Sequence, residues 1–125
     1  MQDSKFKLKY DLIAFIGYLI IVTILSQMPA DIDAIPPFPH FDKLIHIVFY
    51  LGFSWFLGRL VRHQGQARLV WKVLIPTVCY SILMEGLQDT FDLGRHFDIF
   101  DIIANIIGAL IGTILIYQSV SVRKR

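Results

Sequence analysis

The sequence predicts an all-α integral membrane protein, a bundle of four transmembrane helices that forms a single domain over residues 1–125. Two observations lead to this prediction. Of the 125 residues, 55% are hydrophobic and only 18% are charged, and the apolar residues fall into four runs. A soluble domain of this size could not keep that much apolar surface away from water. The runs show no alternation of apolar and polar residues, and the chain is short for a membrane barrel, so helices are favoured over strands.

Each apolar run is close to the length that a membrane-spanning helix needs, which is about 20 residues. The first run, 12–30, and the last run, 102–122, carry no charged residue. The two middle runs reach this length only when their polar ends are included. The middle helices should therefore be buried by the other helices or border a polar cavity. We predict helices near residues 10–29, 41–62, 68–89 and 98–119.

Proline and glycine mark the connections between these helices. Four prolines between residues 29 and 39 end the first helix and delay the second. Gly65 and Gly94 lie in turns that separate the remaining helices. Pro76 lies inside the third run, where a membrane helix tolerates proline as a kink. Cys79, the single cysteine, lies in the same run and is expected to be a small core residue.

The basic residues are concentrated on one side of the predicted bundle. The N-terminal segment, the second connection and the C-terminus together hold 10 of the 12 lysines and arginines, and the other side holds eight of the ten acids. Lysine and arginine favour the cytoplasmic side of a membrane, so both termini should be cytoplasmic. A cleaved signal peptide is the alternative for the first helix. The run is long for that role, and no Ala-x-Ala sequence follows it.

Polar residues form stripes at one end of the second and third helices. On the second helix, Asp42, His46 and Tyr50 are spaced four residues apart, so they share one helix face. Lys43 follows Asp42 at the same end. The third helix carries a matching stripe at Ser81, Glu85 and Gln88.

The fourth helix carries a third stripe, which continues into small residues. Asp98, Asp101 and Asn105 lie within a narrow sector of this helix, and Arg95 lies just before it. Toward the middle of the helix the stripe continues as a packing seam of Ala104, Gly108 and Gly112. Ionisable groups at this depth face the bundle interior by default. The three stripes should therefore converge into one polar site near the outer leaflet.

Individual members of these stripes also have simple structural interpretations. Lys43 and Arg95 could extend to lipid headgroups, and Tyr50 could belong to an interfacial aromatic belt. Asp98 is well placed to cap the fourth helix. These interpretations leave Glu85 and the remaining polar residues of the third and fourth helices unexplained, which favours a networked or functional site.

The order and spacing of these residues resemble the VanZ-like family. The matching pattern runs from Asp42 to Gly112, and the first helix carries no matching motif. The family comprises small bacterial membrane proteins named for a member linked to teicoplanin resistance. The resemblance therefore implies a multi-pass protein of the bacterial cytoplasmic (inner) membrane and a link to glycopeptide tolerance. It does not imply a defined reaction.

The residues favour a site that binds or modifies the headgroup of an envelope lipid or glycolipid. Glu85, Asp101 and His46 are the candidate catalytic groups, because burial brings a carboxyl pKa toward the working range of a general base. Lys43 and Arg95 are suited to phosphate oxygens. The expected substrate-contacting residues are Asp42, Lys43, Tyr50, Gln88, Arg95, Asp98 and Asn105.

Other functions stay open at this point. The polar residues could form a non-catalytic network that fixes the bundle while a partner carries the function. A small-solute or proton pathway is less favoured, because the inner half of each helix lacks charged groups. A metal site is also less favoured, because a single histidine makes zinc improbable; a hard, oxygen-bound cation is the remaining metal alternative. No cofactor is expected, and the divided basic residues argue against nucleic-acid binding.

Overall fold

Four α-helices make up most of the described part of the chain. The computed structural model describes residues 2–28, 39–91 and 96–122, with side chains from residue 7 onward. The helices are α1 (Gln2–Gln27), α2 (Phe41–Val61), α3 (Gln66–Thr90) and α4 (Ile99–Val122), and a 3-10 turn (Arg62–Gln64) follows α2. No strand occurs in these ranges. All four helices are long and apolar enough to cross a membrane, which confirms the predicted class of fold.

The helix bounds differ most from expectation in α1, and by three residues or fewer elsewhere. α1 begins at Gln2 rather than near residue 10, and its candidate membrane span is Lys7–Gln27. The residues before the apolar run include lysines, which are good helix formers. α3 begins at Gln66 and continues through Pro76 to Thr90. Gly65, whose φ of 95° suits glycine, precedes α3. Residues 29–38 and the turn at Asp92–Gly94 lie outside the described residues.

The most extensive helix contact joins α2 and α4. A Cβ atom on Gly108 would overlap the backbone carbonyl oxygen of Ile47, and one on Gly112 would overlap that of Leu51. The two backbones therefore approach closely where α4 carries small residues. α1 packs more loosely: 11% of its membrane-spanning window is buried, against 39% for α4.

The apolar core lies toward one end of the bundle. It consists of the buried residues Phe53, Leu57, Leu69, Val73, Ile116 and Val120. We call this end, where α2 finishes, the Arg59 end, and the opposite end, where α2 and α4 begin, the Lys43 end. Cys79, which was expected in the core, is exposed. The prediction was wrong because the buried face of α3 passes through Thr77 and Ser81, and Cys79 lies between them on another face.

Side chains attach α1 to the rest of the bundle through hydrogen bonds. The hydroxyl of Tyr18 donates to the carbonyl oxygen of Phe49 at 2.9 Å. The hydroxyls of Thr23 and Tyr80 are 2.6 Å apart. These hydrogen bonds attach α1 to α2 and α3, although little of the surface of α1 is buried.

Candidate functional site

Asp98 caps α4 and binds α2 with the same carboxylate. Its Oδ1 accepts the backbone N–H of Phe100 at 2.8 Å, as an N-cap side chain does. Its Oδ2 lies 2.6 Å from the Nζ of Lys43. The hydrogen bond from Lys43 is the main cause that lowers the pKa of the Asp98 carboxyl below its ordinary value. The predicted capping role is present, and the residue also closes the Lys43 end of the bundle.

Lys43 lies among three carboxylates. Its Nζ is 2.8 Å from Asp42 Oδ2 and also donates to Asp98 and Asp101. The Lys43 side chain is 20% exposed, so solvent screens these ion pairs only in part. Three carboxylates compete with any phosphate for this ammonium group, which weakens the case for Lys43 as a phosphate ligand.

Asp101 connects the Lys43 ion pairs to the buried interior. One of its carboxylate oxygens accepts a hydrogen bond from Lys43, and the other lies 3.6 Å from the Nε2 of His46. The carboxylate therefore lies between a permanent cation and a titratable ring, at the point where the site passes from exposed to buried.

His46 is oriented by the side-chain amide of Asn105. The Nδ1 of His46 is 2.9 Å from Asn105 Oδ1. The amide nitrogen of Asn105 donates to the hydroxyl of Ser81 at 2.9 Å and to Glu85 Oε1 at 3.5 Å. Because these donor bonds direct the amide oxygen at His46, a neutral imidazole at this position would carry its proton on Nδ1. The lone pair of the neutral ring then lies on Nε2, facing Asp101.

Glu85 is the most deeply buried acid of the site. It is 1% exposed, and its Oε1 lies 3.6 Å from His46 Nδ1. A buried carboxylate is costly unless it is paired or hydrogen-bonded. His46, Glu85 and Asn105 thus link α2, α3 and α4 through one connected polar group.

Two cavities reach the polar residues from different sides. A cavity of about 460 Å³ lies between α2 and α4. Its polar wall is formed by His40, Asp42, Lys43 and Asp98, and its apolar wall by Ile47, Phe100, Ile103, Ala104 and Ile107. A second cavity of about 210 Å³ lies between α1 and α2 and is bordered by Ser26, Asp42 and His46 among other residues. The site is therefore accessible from the side of the bundle.

Most residues of the predicted site meet in space. Contacts of the kinds given above connect Asp42, Lys43, His46, Glu85, Asp98, Asp101 and Asn105. The small residues Ala104, Gly108 and Gly112 are buried on α4, and the two glycines lie against α2. Arg95 lies outside the described residues. The functional roles assigned to all of these residues stay predictions.

Two predicted substrate contacts have other surroundings. Gln88 donates through Nε2 to the backbone carbonyl of Ser26 on α1 at 2.7 Å. Tyr50 is buried next to the rings of Phe53 and Tyr80. Both residues are on the predicted helix faces. Their neighbours, however, could not be predicted from the spacing of the polar residues.

Some residues of interest were not found from the sequence. His40 lines the larger cavity, although it was not among the predicted site residues. At the Arg59 end, Asp11 forms ion pairs with Arg59 and Arg62. The sequence contains one indication of these ion pairs: Asp11 is one of only two acids on the side where the basic residues are concentrated.

The same site contains one group with the geometry of a metal site. Ligand atoms of His46, Glu85 and Asp101 all lie within 4.8 Å of one another. One nitrogen and two carboxylates suit a hard divalent cation better than a structural zinc ion. The arrangement is equally suited to proton transfer, because a histidine lies between two carboxylates.

Comparison with known proteins gives a family but no activity. The chain is 34% identical over 86 residues to an uncharacterized protein of Saccharomyces cerevisiae; the match covers 62% of this chain and 79% of the yeast protein. No solved structure matches. The model of the VanZ/LLP1 family matches residues 4–121, which includes α1. Since this match spans nearly the whole length, the chain belongs to the VanZ/LLP1 family of membrane proteins.

Proposed function

We propose that this VanZ-like membrane protein binds or modifies the headgroup of an envelope lipid or glycolipid at the Lys43 end. The observation that supports this proposal most directly is the cavity of about 460 Å³ between α2 and α4, which has one polar wall and one apolar wall. Its volume falls within the range of small-molecule sites. A lipid has the same division, a polar headgroup joined to an apolar chain.

The charges on the polar wall favour a particular headgroup chemistry. Asp42 and Asp98 line the cavity together with a single lysine, Lys43, so the wall carries an excess of negative charge. Carboxylates accept hydrogen bonds and attract cations. A headgroup that offers hydroxyl or ammonium donors therefore fits this wall better than a bare phosphate does. Glycolipids and aminolipids provide such donors.

The apolar wall suits the chain of the lipid. Ile47 of α2 and Ile103 and Ile107 of α4 line the cavity beside the polar residues. Ile103 and Ile107 follow Phe100 at near-helical spacing, so this wall continues toward the centre of the membrane. A chain that lies along α4 would keep the headgroup at Asp42 and Asp98.

His46, Glu85 and Asp101 are the groups proposed to act on the bound headgroup. In the tautomer fixed by Asn105, His46 presents a lone pair toward Asp101. His46 borders the second cavity, and Asp42 lines both cavities, so a headgroup held at Asp42 lies next to this group. A proton taken from a headgroup hydroxyl or amine would be held between His46 Nε2 and the Asp101 carboxylate. Glu85 lies on the other side of the ring and stabilises the imidazolium that forms. This is general base catalysis by a histidine that Asn105 orients and that nearby carboxylates stabilise in its charged form.

The proposed location is the outer leaflet of a bacterial cytoplasmic membrane, with both chain termini in the cytoplasm. It follows from the distribution of lysine and arginine and from the family resemblance. An outer-leaflet headgroup site accords with the family's link to glycopeptide tolerance. A non-catalytic network is the alternative function, supported by the direct bonds that join α2, α3 and α4.

The lipid that stays bound during purification tests the binding proposal. We would reconstitute the chain in native-membrane nanodiscs and identify lipids enriched over the bulk membrane by mass spectrometry. Ile107→Trp should fill the apolar side of the cavity and lower the enrichment several-fold. Ile114→Trp is the matched control, because it lies two turns further along the same helix face, is exposed and does not line the cavity.

The results distinguish a site from general lipid contact. Enrichment of a hydroxyl- or amine-bearing lipid that Ile107→Trp alone reduces would support the proposal. Equal lipid composition in the wild type and in both variants would contradict it.

A further inference from the structure

A second polar cluster lies at the Arg59 end, across the apolar core from the proposed headgroup site. Asp11 of α1 is 4% exposed. Its Oδ1 is 2.7 Å from the Nη2 of Arg59, and its Oδ2 is 2.9 Å from the Nη2 of Arg62. One buried carboxylate thus holds two guanidinium groups in fixed positions.

These guanidinium groups border a cavity of about 270 Å³. Its other lining residues are Lys7, Tyr10 and Asp11. Three cationic side chains and one carboxylate give the cavity a net charge of +2. Each contact with Asp11 involves one nitrogen of an arginine that carries five N–H donors. Both arginines therefore keep donors for a further anion.

The residues that line this cavity lie near the ends of the membrane helices. Lys7 precedes the uncharged run of α1, which begins at Leu12, and Arg62 follows the last residue of α2. Lipid phosphates lie at the depth where membrane helices end. Basic residues at helix ends also extend toward headgroups individually. Individual extension does not explain a buried acid that fixes two arginines beside a cavity.

We propose that this cavity binds the phosphate group of an anionic membrane phospholipid. Arginine is suited to this ligand, because its planar group donates two parallel hydrogen bonds to phosphate. Lys7 adds a third positive charge, and the exposed ring of Tyr10 is of the type found at membrane interfaces. Asp11 is a positioning residue that orients the arginines. This site is separate from the proposed headgroup site, so either one can fail without the other.

Calorimetric titration of the full chain in an uncharged detergent tests this proposal. The probes are dioctanoyl phosphatidylglycerol, dioctanoylglycerol, which lacks the phosphate, and inorganic phosphate. Lys7→Gln and Arg59→Gln should each raise the Kd for the anionic lipid about fivefold. Arg68→Gln is the matched control, because it removes the same charge from an exposed position at the same end, outside the cavity.

Each outcome decides for or against the site. Binding of the anionic lipid alone, weakened by Lys7→Gln and Arg59→Gln but not by Arg68→Gln, supports it. Equal weakening by all three variants would show general attraction and overturn it. Equal binding of inorganic phosphate would exclude the lipid as the specific source of the anion, and equal binding of dioctanoylglycerol would exclude the phosphate. If Arg59→Gln lowers the melting temperature, Lys7→Gln still tests the cavity, because it leaves both ion pairs of Asp11 in place.

Discussion

Lys43 is the one lysine of the Lys43 end that the structure describes, and its position fixes the charge balance there. It binds Asp42, Asp98 and Asp101, so three carboxylates share one ammonium group. Coulomb attraction is stronger at this depth than in water, and breaking a partly buried ion pair leaves the remaining charges uncompensated. The stability of this end should therefore depend on the lysine charge and on pH.

Lys43→Met should destabilise the protein at neutral pH by about 1–3 kcal/mol and weaken its response to acid. In the wild type the pKa of Asp98 is lowered by the hydrogen bond from Lys43. Its contribution to stability is therefore complete above the ordinary carboxyl pKa and is lost as pH falls through the lower folded value. In Lys43→Met the backbone N–H of Phe100 still lowers the pKa of Asp98, but the larger contribution of Lys43 is gone, so the variant should lose less stability as pH falls.

Thermal unfolding between about pH 6 and pH 2 measures this difference, because the pKa of Asp98 in the folded protein lies below the ordinary carboxyl value. Lys72→Met is the control, since Lys72 is an exposed lysine that contacts Gln64 and no carboxylate of the site. An acid response of Lys43→Met equal to that of the wild type would contradict the proposed charge balance.

Glu85→Gln and Asp101→Asn should separate a working site from a structural network. Both changes keep the shape of the side chain and its hydrogen bonds but remove the charge. If these carboxylates move a proton, the variants should reach normal amounts in the membrane and fail to complement a deletion strain. Quantitative blotting of membranes and the lipid composition of the strain are the two measurements. Full complementation by both variants would favour the non-catalytic network.

Helix periodicity predicted the faces of the site residues, but their partners depend on tertiary packing. The spacing of Asp42 and His46 indicates that they share a face, and the same reasoning applies to Glu85 and Gln88. In the structure Glu85 lies near His46, whereas Gln88 binds the backbone of α1. A backbone carbonyl has no sequence signal, so the contact of Gln88 could not be predicted from residue spacing.

At the scale of elements, the membrane helices themselves were predictable because they depend on apolar length. The attachment of α1 was not, since it relies on single bonds such as the one from Tyr18 to the carbonyl of Phe49. The packing seam between α2 and α4 was predictable only in part. Its small residues were visible in the sequence as a packing stripe, and the structure shows α2 as the helix against which they pack.

Gly108→Ala should destabilise the bundle even though alanine is the better helix former. The added Cβ would overlap the carbonyl oxygen of Ile47, and backbone cannot move aside as a flexible side chain does. Gly17→Ala on α1 is the matched control, because a Cβ there meets nothing within 4 Å. We expect a lower melting temperature and less folded protein for Gly108→Ala alone. Equal behaviour of the two variants would show that α2 and α4 are not held at this distance.

At the scale of the whole molecule, two polar clusters are separated by the apolar core. The cluster at the Lys43 end carries an excess of acids, and the one at the Arg59 end an excess of bases. The buried core of Phe53, Leu57 and Ile116, with its neighbours, lies between them. A proton or solute pathway would have to cross this core, which disfavours that function. The asymmetry instead suits a protein that presents different surfaces to the two leaflets.

The orientation of the bundle is the prediction on which both proposed lipid sites depend for their leaflet. The distribution of basic residues predicts that the connection between α2 and α3 is cytoplasmic and that the segment between α1 and α2 is outside. In a Cys79→Ser background, cysteine at Gln64 should resist a membrane-impermeant thiol reagent in intact cells, and cysteine at Asp33 should react. Permeabilised cells are the control, in which both positions should react. The opposite pattern would place the Lys43 end in the cytoplasm. The acid-rich cavity would then face the cytoplasmic leaflet and could not act on an outer-leaflet headgroup.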